Sequence, residues 1–160
     1  MVDFRGALQR LKKQMDDAET VDMSSVKVGD IIYVPMEEED GLTLKIGYAT
    51  RNKYIVIIGF TPEGIAIGAL LINSEINPSK RSAEMMDCQY PLLSRHYPQI
   101  LDYDSWLDCS DIFELSKEKI TERSGKLKGR LTNEDRERVL DFMRRTDVID
   151  NITKRRFGLL

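Results

Sequence analysis

Two short polar groups bracket one apolar stretch, and their residue types could act on a phosphate. Arg51 and Lys53 lead into Y-I-V-I-I-G-F, and Asn73 and Ser74 close I-A-I-G-A-L-L-I. Arginine and lysine supply cationic donors, while an amide and a hydroxyl can position a bound substrate. The single histidine, His96 in S-R-H-Y-P, has the side chain whose ordinary pKa suits proton transfer near neutral pH. Set between Arg95 and Tyr97, it reads either as a catalytic or RNA-contacting group or as a surface residue. Lys117, Lys119, Arg123, Lys126, Lys128 and Arg130 form the most basic stretch. That stretch is either a solvated surface or a patch facing phosphate.

Common cofactor and hydrolase signatures are missing. The sequence has no P-loop, no G-x-G-x-x-G after a strand and no G-x-S-x-G elbow. No Cys-His or His-Glu pair has metal-ligand spacing, so neither a cofactor nor a metal is expected. Metal-independent RNA cleavage needs no such signature. There the substrate's own 2′-OH attacks the adjacent phosphate, and the protein supplies a base, an acid and a cation.

The elements that would hold these groups start with a hairpin over 53–74. Ile and Val favour a pleated surface, and strands this apolar are expected mid-sheet with both faces covered. In T-P-E-G between them, Pro62 suits position i+1 and Gly64 position i+3 of a type I turn. A hairpin brings the polar groups at its open end together. Before it, Phe4, Leu8, Leu11, Met15 and Ala18 make the stripe of an amphipathic helix over 3–19, facing its own domain or a partner. Residues 20–26 read as a connector and Ile31 to Val34 as a strand, with Pro35 at its end or at an edge. Glu37 to Asp40 is an acidic loop, read as a solvated tip or, less favoured, a metal site. Leu42, Leu44, Ile46 and Tyr48 alternate with Thr43, Lys45 and Gly47 as a half-buried strand would.

Beyond the hairpin, residues 75–102 form a long proline-punctuated segment with a short helix near 79–86. Residues 103–120 read as a strand ending in a turn. Thr132-x-x-Asp135 is a capping-box pattern for a last helix with Val139, Leu140, Phe142, Met143, Thr146 and Ile149 on its inner face. The basic-then-apolar tail, 150–160, is a frayed end or a docking peptide. The expected fold is a single α+β domain over 1–160, mainly β, with a small bent antiparallel sheet or barrel between two helices.

The net charge of −3 gives no global attraction to nucleic acid, so any such contact needs a local basic patch. No apolar run approaches the roughly 20 residues that span a bilayer, and no membrane partner is expected. The N-terminal residues lack a signal-peptide pattern. Cys88 and Cys109 make no disulfide framework and are read as reduced thiols, which implies a cytoplasmic location.

Two blocks together resemble the PemK/MazF-like toxin endoribonucleases. V-K-V-G-D-I-I-Y-V is similar to that family's opening strand, K-Y-I-V-I-I-G to its next apolar strand, and A-L-L-I-N-S to the strand ending in Thr-Ser. D-S-W-L-D-C-S-D-I-F-E-L-S-K-E-K-I, then S-G-K-L and the capped helix, resembles its C-terminal half. Order and spacing agree over about 26–147. The resemblance implies an SH3-like β-barrel with a C-terminal helix, a homodimer, a small antitoxin partner and single-stranded RNA as substrate. It places Lys53 where the family has an arginine, and Asn73 where it has a threonine. Lysine keeps the charge without the planar fork, which Arg51 could supply. The N-terminal helix and the proline-punctuated segment are additions.

The resemblance therefore implies a metal-independent endoribonuclease toxin. Arg51 and Lys53 would hold phosphate and Asn73 and Ser74 would position substrate, while His96 or an aspartate of 108–111 would transfer protons. Lys117, Lys119, Lys126 and Lys128 would contact RNA. The alternative expectation is a non-catalytic SH3-like barrel module that binds a protein or nucleic-acid partner.

Overall fold

A computed structural model describes residues 5–6, 20–44, 46–76, 79 and 81–160. Apart from residues 5 and 6, the expected helix over 3–19 lies outside the described residues. Among those described, six strands form one antiparallel sheet: β1 (Asp30–Met36), β2 (Arg51–Phe60), β3 (Ala66–Asn73), β4 (Gln89–Leu92), β5 (Ser105–Ser116) and β6 (Lys126–Arg130). Their order is β4-β5-β3-β2-β1-β6, which puts the β2–β3 hairpin in the middle. The α-helices described from end to end are α1 (Ala83–Met86), α2 (Lys117–Glu122), α3 (Asn133–Arg145) and α4 (Asn151–Arg156). The chain is thus mainly antiparallel β with flanking helices. No described helix is long and apolar enough to cross a membrane.

Strand alternation divides the apolar side chains between two cores. Ile32, Val34, Ile55, Ile57, Ile67, Ala69 and Leu71 pack with Val21, Met23, Leu42 and Ile120 on one face. Ile31, Val56, Ile58, Leu70, Ile72 and Leu107 pack on the other with Val139 and Met143 of α3. Covering both faces of β2 and β3 is what allows their nearly unbroken apolar runs. The turn between them closes with Gly64 N–H donating to the Thr61 carbonyl at 2.8 Å, as the Pro62 and Gly64 positions require. Bulges bend the sheet. Opposite Ala69–Leu71 of β3, the register on β5 jumps from Phe113 to Asp108. Pro35 lies inside β1, where β1 pairs with β2 but has run past the end of β6, so its missing N–H costs no ladder bond.

The sequence reading differs from the structure in several segments, among them the stretch after the acidic loop, the connector and the tail. Residues 42–44 and 46–48 belong to no strand: Leu42 enters the core, whereas Ile46 and Tyr48 stand in solvent. Alternation alone did not give that segment a neighbour to pair with. The connector contributes to the core through Val21 and Met23, and Val21 N–H donates to the Gly125 carbonyl at 2.7 Å. The tail is a sealed end. Phe157 and Leu159 are buried, and the Lys154 ammonium, itself buried, donates to the Arg144 and Thr146 carbonyls at the end of α3. Gly59 and Gly68, opposite each other in the β2–β3 register, make room for Phe157. A methyl on Gly68 would come 2.7 Å from the Phe157 ring, and one on Gly59 would collide with its carbonyl oxygen. Burying a phenylalanine side chain contributes about 2 kcal/mol.

Candidate functional site

The open end of the β2–β3 hairpin forms one wall of a cavity of about 470 Å³. Arg51, Lys53, Asn73 and Ser74 all line it, as hairpin geometry requires of residues at the start of β2 and the end of β3. Tyr33 of β1 and Tyr54 of β2 form an aromatic side, with ring centroids 4.6 Å apart and planes tilted by 43°. The loop after β3 supplies Glu75, the proline-punctuated segment supplies Arg81, and the approach to β5 supplies Asp102.

Lys53 is the least ordinary of these groups. Its residue surface is only 7% exposed, and its ammonium donates to Asn73 Oδ1 at 2.7 Å. Burial pushes its pKa down to about 8, and the charges of Arg51 and Arg81 push the same way, against a weaker pull from Asp108. Neither Arg51 nor Lys53 is in an ion pair among the described residues. Such a lysine keeps its proton near neutral pH yet releases it far more easily than one in water.

Arg81 was not singled out in the sequence. Its Nη1 bonds Asp108 Oδ2 at 2.9 Å, and both side chains are largely buried. Asp108 also accepts from Gln89 Nε2 at 2.9 Å, from Ser110 N–H at 3.0 Å and from the Ser110 hydroxyl. Burial alone would raise the Asp108 pKa, but the bonds from Ser110, Gln89 and Arg81 outweigh it and hold the carboxyl below its ordinary value. Its oxygens are committed to fixing neighbours. The signal for Arg81 was weak, being a lone arginine amid prolines and polar residues, 27 positions from its partner.

Other expected site residues are not brought here. His96 is exposed and borders a separate cavity of about 370 Å³ with Tyr90, Asp135 and Arg138. Asp135 is only half of a capping box. Its backbone N–H donates to Thr132 Oγ1 at 3.2 Å, while its carboxylate accepts from the Tyr90 and Tyr97 hydroxyls and anchors α3 to the sheet side.

The basic stretch is spread over two elements. Lys117 lies over the Phe60 ring, 5.1 Å from its centroid. Lys119 and Arg123 bind the acidic loop: Lys119 reaches Glu39 at 3.2 Å and Asp40 at 3.7 Å, and Arg123 reaches Asp40 at 2.6 Å and Glu37 at 3.4 Å. The acidic run is therefore a clamp onto α2 and its C-cap, not a solvated tip. Lys126 of β6 stands opposite Tyr33 in the β1–β6 register, next to the aromatic side of the cavity, and Lys128 is exposed on the same strand. Among the described residues, no group of three or more His, Cys, Asp or Glu side chains could hold a metal ion.

Fold and site together define an antiparallel α+β protein with a cavity of basic, acidic and aromatic side chains at the ends of its central strands. Compared with protein-family models and with curated proteins, the sequence matches none.

Proposed function

We propose that the chain is an RNA-directed protein of the PemK/MazF-like kind, a metal-independent endoribonuclease acting on single-stranded RNA from the Lys53 cavity. The observation that carries the reading is the convergence of Arg51, Lys53 and Arg81 around one cavity that also presents Asn73, Ser74 and a tyrosine pair. Cations serve the phosphate, and aromatic faces serve an unstacked base. The curled sheet with a helix after its last strand is consistent with an SH3-like barrel. On this reading the chain acts as the toxin of a toxin–antitoxin pair, works as a homodimer and is restrained by a small antitoxin. A helix over 3–19 would be an appendage to the barrel.

In the reaction, a carboxylate of the same cavity, Asp102 or Glu75, takes the proton of the 2′-OH. The 2′ oxygen attacks phosphorus, and the bond from phosphorus to the 5′ oxygen breaks. The Lys53 ammonium gives its proton to that leaving oxygen, and Arg51 holds the charge on the phosphorane. The products are a 2′,3′-cyclic phosphate and a 5′-hydroxyl. His96 has no part in this scheme because it borders the other cavity.

Purified protein is expected to cleave a panel of single-stranded RNAs in the presence of chelator. Lys53→Ala and Arg51→Ala are expected to lower the rate at least about tenfold. Absence of cleavage across the panel at every salt concentration would refute the enzyme reading. One observation favours a second reading: the Lys53 ammonium already has a partner in Asn73. A cavity that binds RNA and does not cut it would make the chain a non-catalytic binding module. RNA binding without cyclic-phosphate product identifies that case.

A further inference from the structure

We infer that Arg81 is a phosphate-binding residue of the Lys53 cavity, held in position by Asp108. The inference rests on the RNA-directed reading and deepens it. It assigns a site role to Arg81 of the proline-punctuated segment, whose length reads as functional or covering and which the resemblance makes an addition.

Three observations bear on it. First, Arg81 lines the cavity together with Arg51 and Lys53, and its charge is felt at Lys53. Second, its direction is fixed. One terminal nitrogen is bonded to Asp108, and Asp108 is itself braced by Gln89 from β4 and by Ser110. An arginine anchored on one edge keeps a planar fork to present on another, which is the geometry that suits a phosphate. Third, the brace exists because β5 is bulged. The irregular register after Asp108 folds the backbone so that the Ser110 N–H returns to the Asp108 carboxylate. Lys53 is a point charge. Arg81 beside it adds planar, two-point recognition, so the two divide the work of holding one phosphate group.

The competing account is that Arg81 and Asp108 merely tie the segment at 81–89 to β5. The two accounts differ in sign for one variant. Asp108→Asn removes a negative charge near a cationic cavity. If Asp108 acts only through its charge or as a structural tie, this substitution tightens phosphate binding or leaves it unchanged. If it aims Arg81, binding weakens although the site has become more positive.

The experiment measures binding of a single-stranded RNA made uncleavable by 2′-O-methylation, by fluorescence anisotropy across a salt series. Wild type, Arg81→Ala, Arg81→Lys and Asp108→Asn are compared, with inorganic phosphate as a second probe by NMR and with thermal melts of each variant. Arg81→Ala is expected to weaken RNA binding about tenfold and to reduce the salt slope by about one. Arg81→Lys, which retains an ammonium for Asp108 and so keeps the fold, is expected to preserve the salt slope and lose several-fold in affinity. Asp108→Asn is expected to weaken binding of both probes. The assignment is overturned if Arg81→Ala and Arg81→Lys bind phosphate like wild type, or if Asp108→Asn binds it as tightly or more tightly. If wild type binds phosphate through Arg81 but not RNA, the RNA-directed reading falls and the Arg81 assignment stands. If wild type binds neither probe, both fall.

Discussion

Two clusters of basic side chains among the described residues are built in opposite ways. In the first, Lys119 and Arg123 face Glu37, Glu39 and Asp40, so two cations meet three carboxylates within 4 Å. In the second, Arg51, Lys53 and Arg81 border one cavity, and the carboxylate bonded to any of them is Asp108. The first cluster is electrostatically closed, and it fastens a loop to a helix. The second leaves Arg51 and Lys53 without an ion-pair partner among the described residues, and burial, helped by the charges of Arg51 and Arg81, lowers the pKa of Lys53. Local basicity along the chain points to the first, yet Arg51 and Lys53, which have no ion-pair partner among the described residues, mark the second. A binding site for an anion needs cations that the fold has not already neutralised.

Breaking the second cluster is expected to have the largest effect. The Lys53 pKa falls from 10.5 unfolded to about 8 folded. The ammonium therefore destabilises the fold by an amount that is full below pH 8 and relieved as pH rises from about 8 to 10.5. The shift corresponds to about 3 kcal/mol. Denaturant unfolding of wild type against Lys53→Met across that interval should show wild type gaining stability relative to the variant. Tyr54, Tyr90 and Tyr97, whose hydroxyl pKa values burial raises, act oppositely above pH 10 and cancel in the comparison.

Breaking the first cluster is expected to cost stability of the opposite pH sense. Burial works to raise the Asp40 pKa, but bonds from Arg123 and the Glu37 amide hold it below 3.8. Its contribution is present above pH 3.8 and is lost as pH falls through the lower folded value. Asp40→Asn should therefore destabilise by about 2 kcal/mol at pH 7 in a denaturant melt, with the difference closing in acid. RNA binding should be unaffected. The smallest effect is expected for Lys119→Ala, whose ammonium is largely in solvent. Its RNA affinity should stay within about twofold of wild type. A larger loss would show that the clamp also serves as an RNA surface and would erase the contrast.

Much of the second cluster was legible because a hairpin is a local rule. Once Y-I-V-I-I-G-F and I-A-I-G-A-L-L-I pair across T-P-E-G, Lys53 and Asn73 must be neighbours, and they are bonded at 2.7 Å. Arg81 was not legible because its place depends on Asp108 and on a bulge in β5, neither of which has a periodic signature. The alternation at 42–48 misled because a strand needs a neighbour as well as a pattern. The acidic run resisted for a similar reason: its partners Lys119 and Arg123 lie 80 or more positions away. Gly59 and Gly68 interrupt otherwise apolar strands, and glycine inside a strand marks a close approach, here that of Phe157. Read that way, the tail would have been recognised as part of the core.

The central claim is that Lys53, buried and without an ion-pair partner among the described residues, borders a cavity that receives a phosphate. Its ammonium can be followed by NMR through a pH titration, with and without the uncleavable single-stranded RNA. A midpoint near 8 in the isolated protein, moved upward by bound RNA, is the predicted result. A midpoint at the ordinary lysine value, unchanged by RNA, would contradict the account.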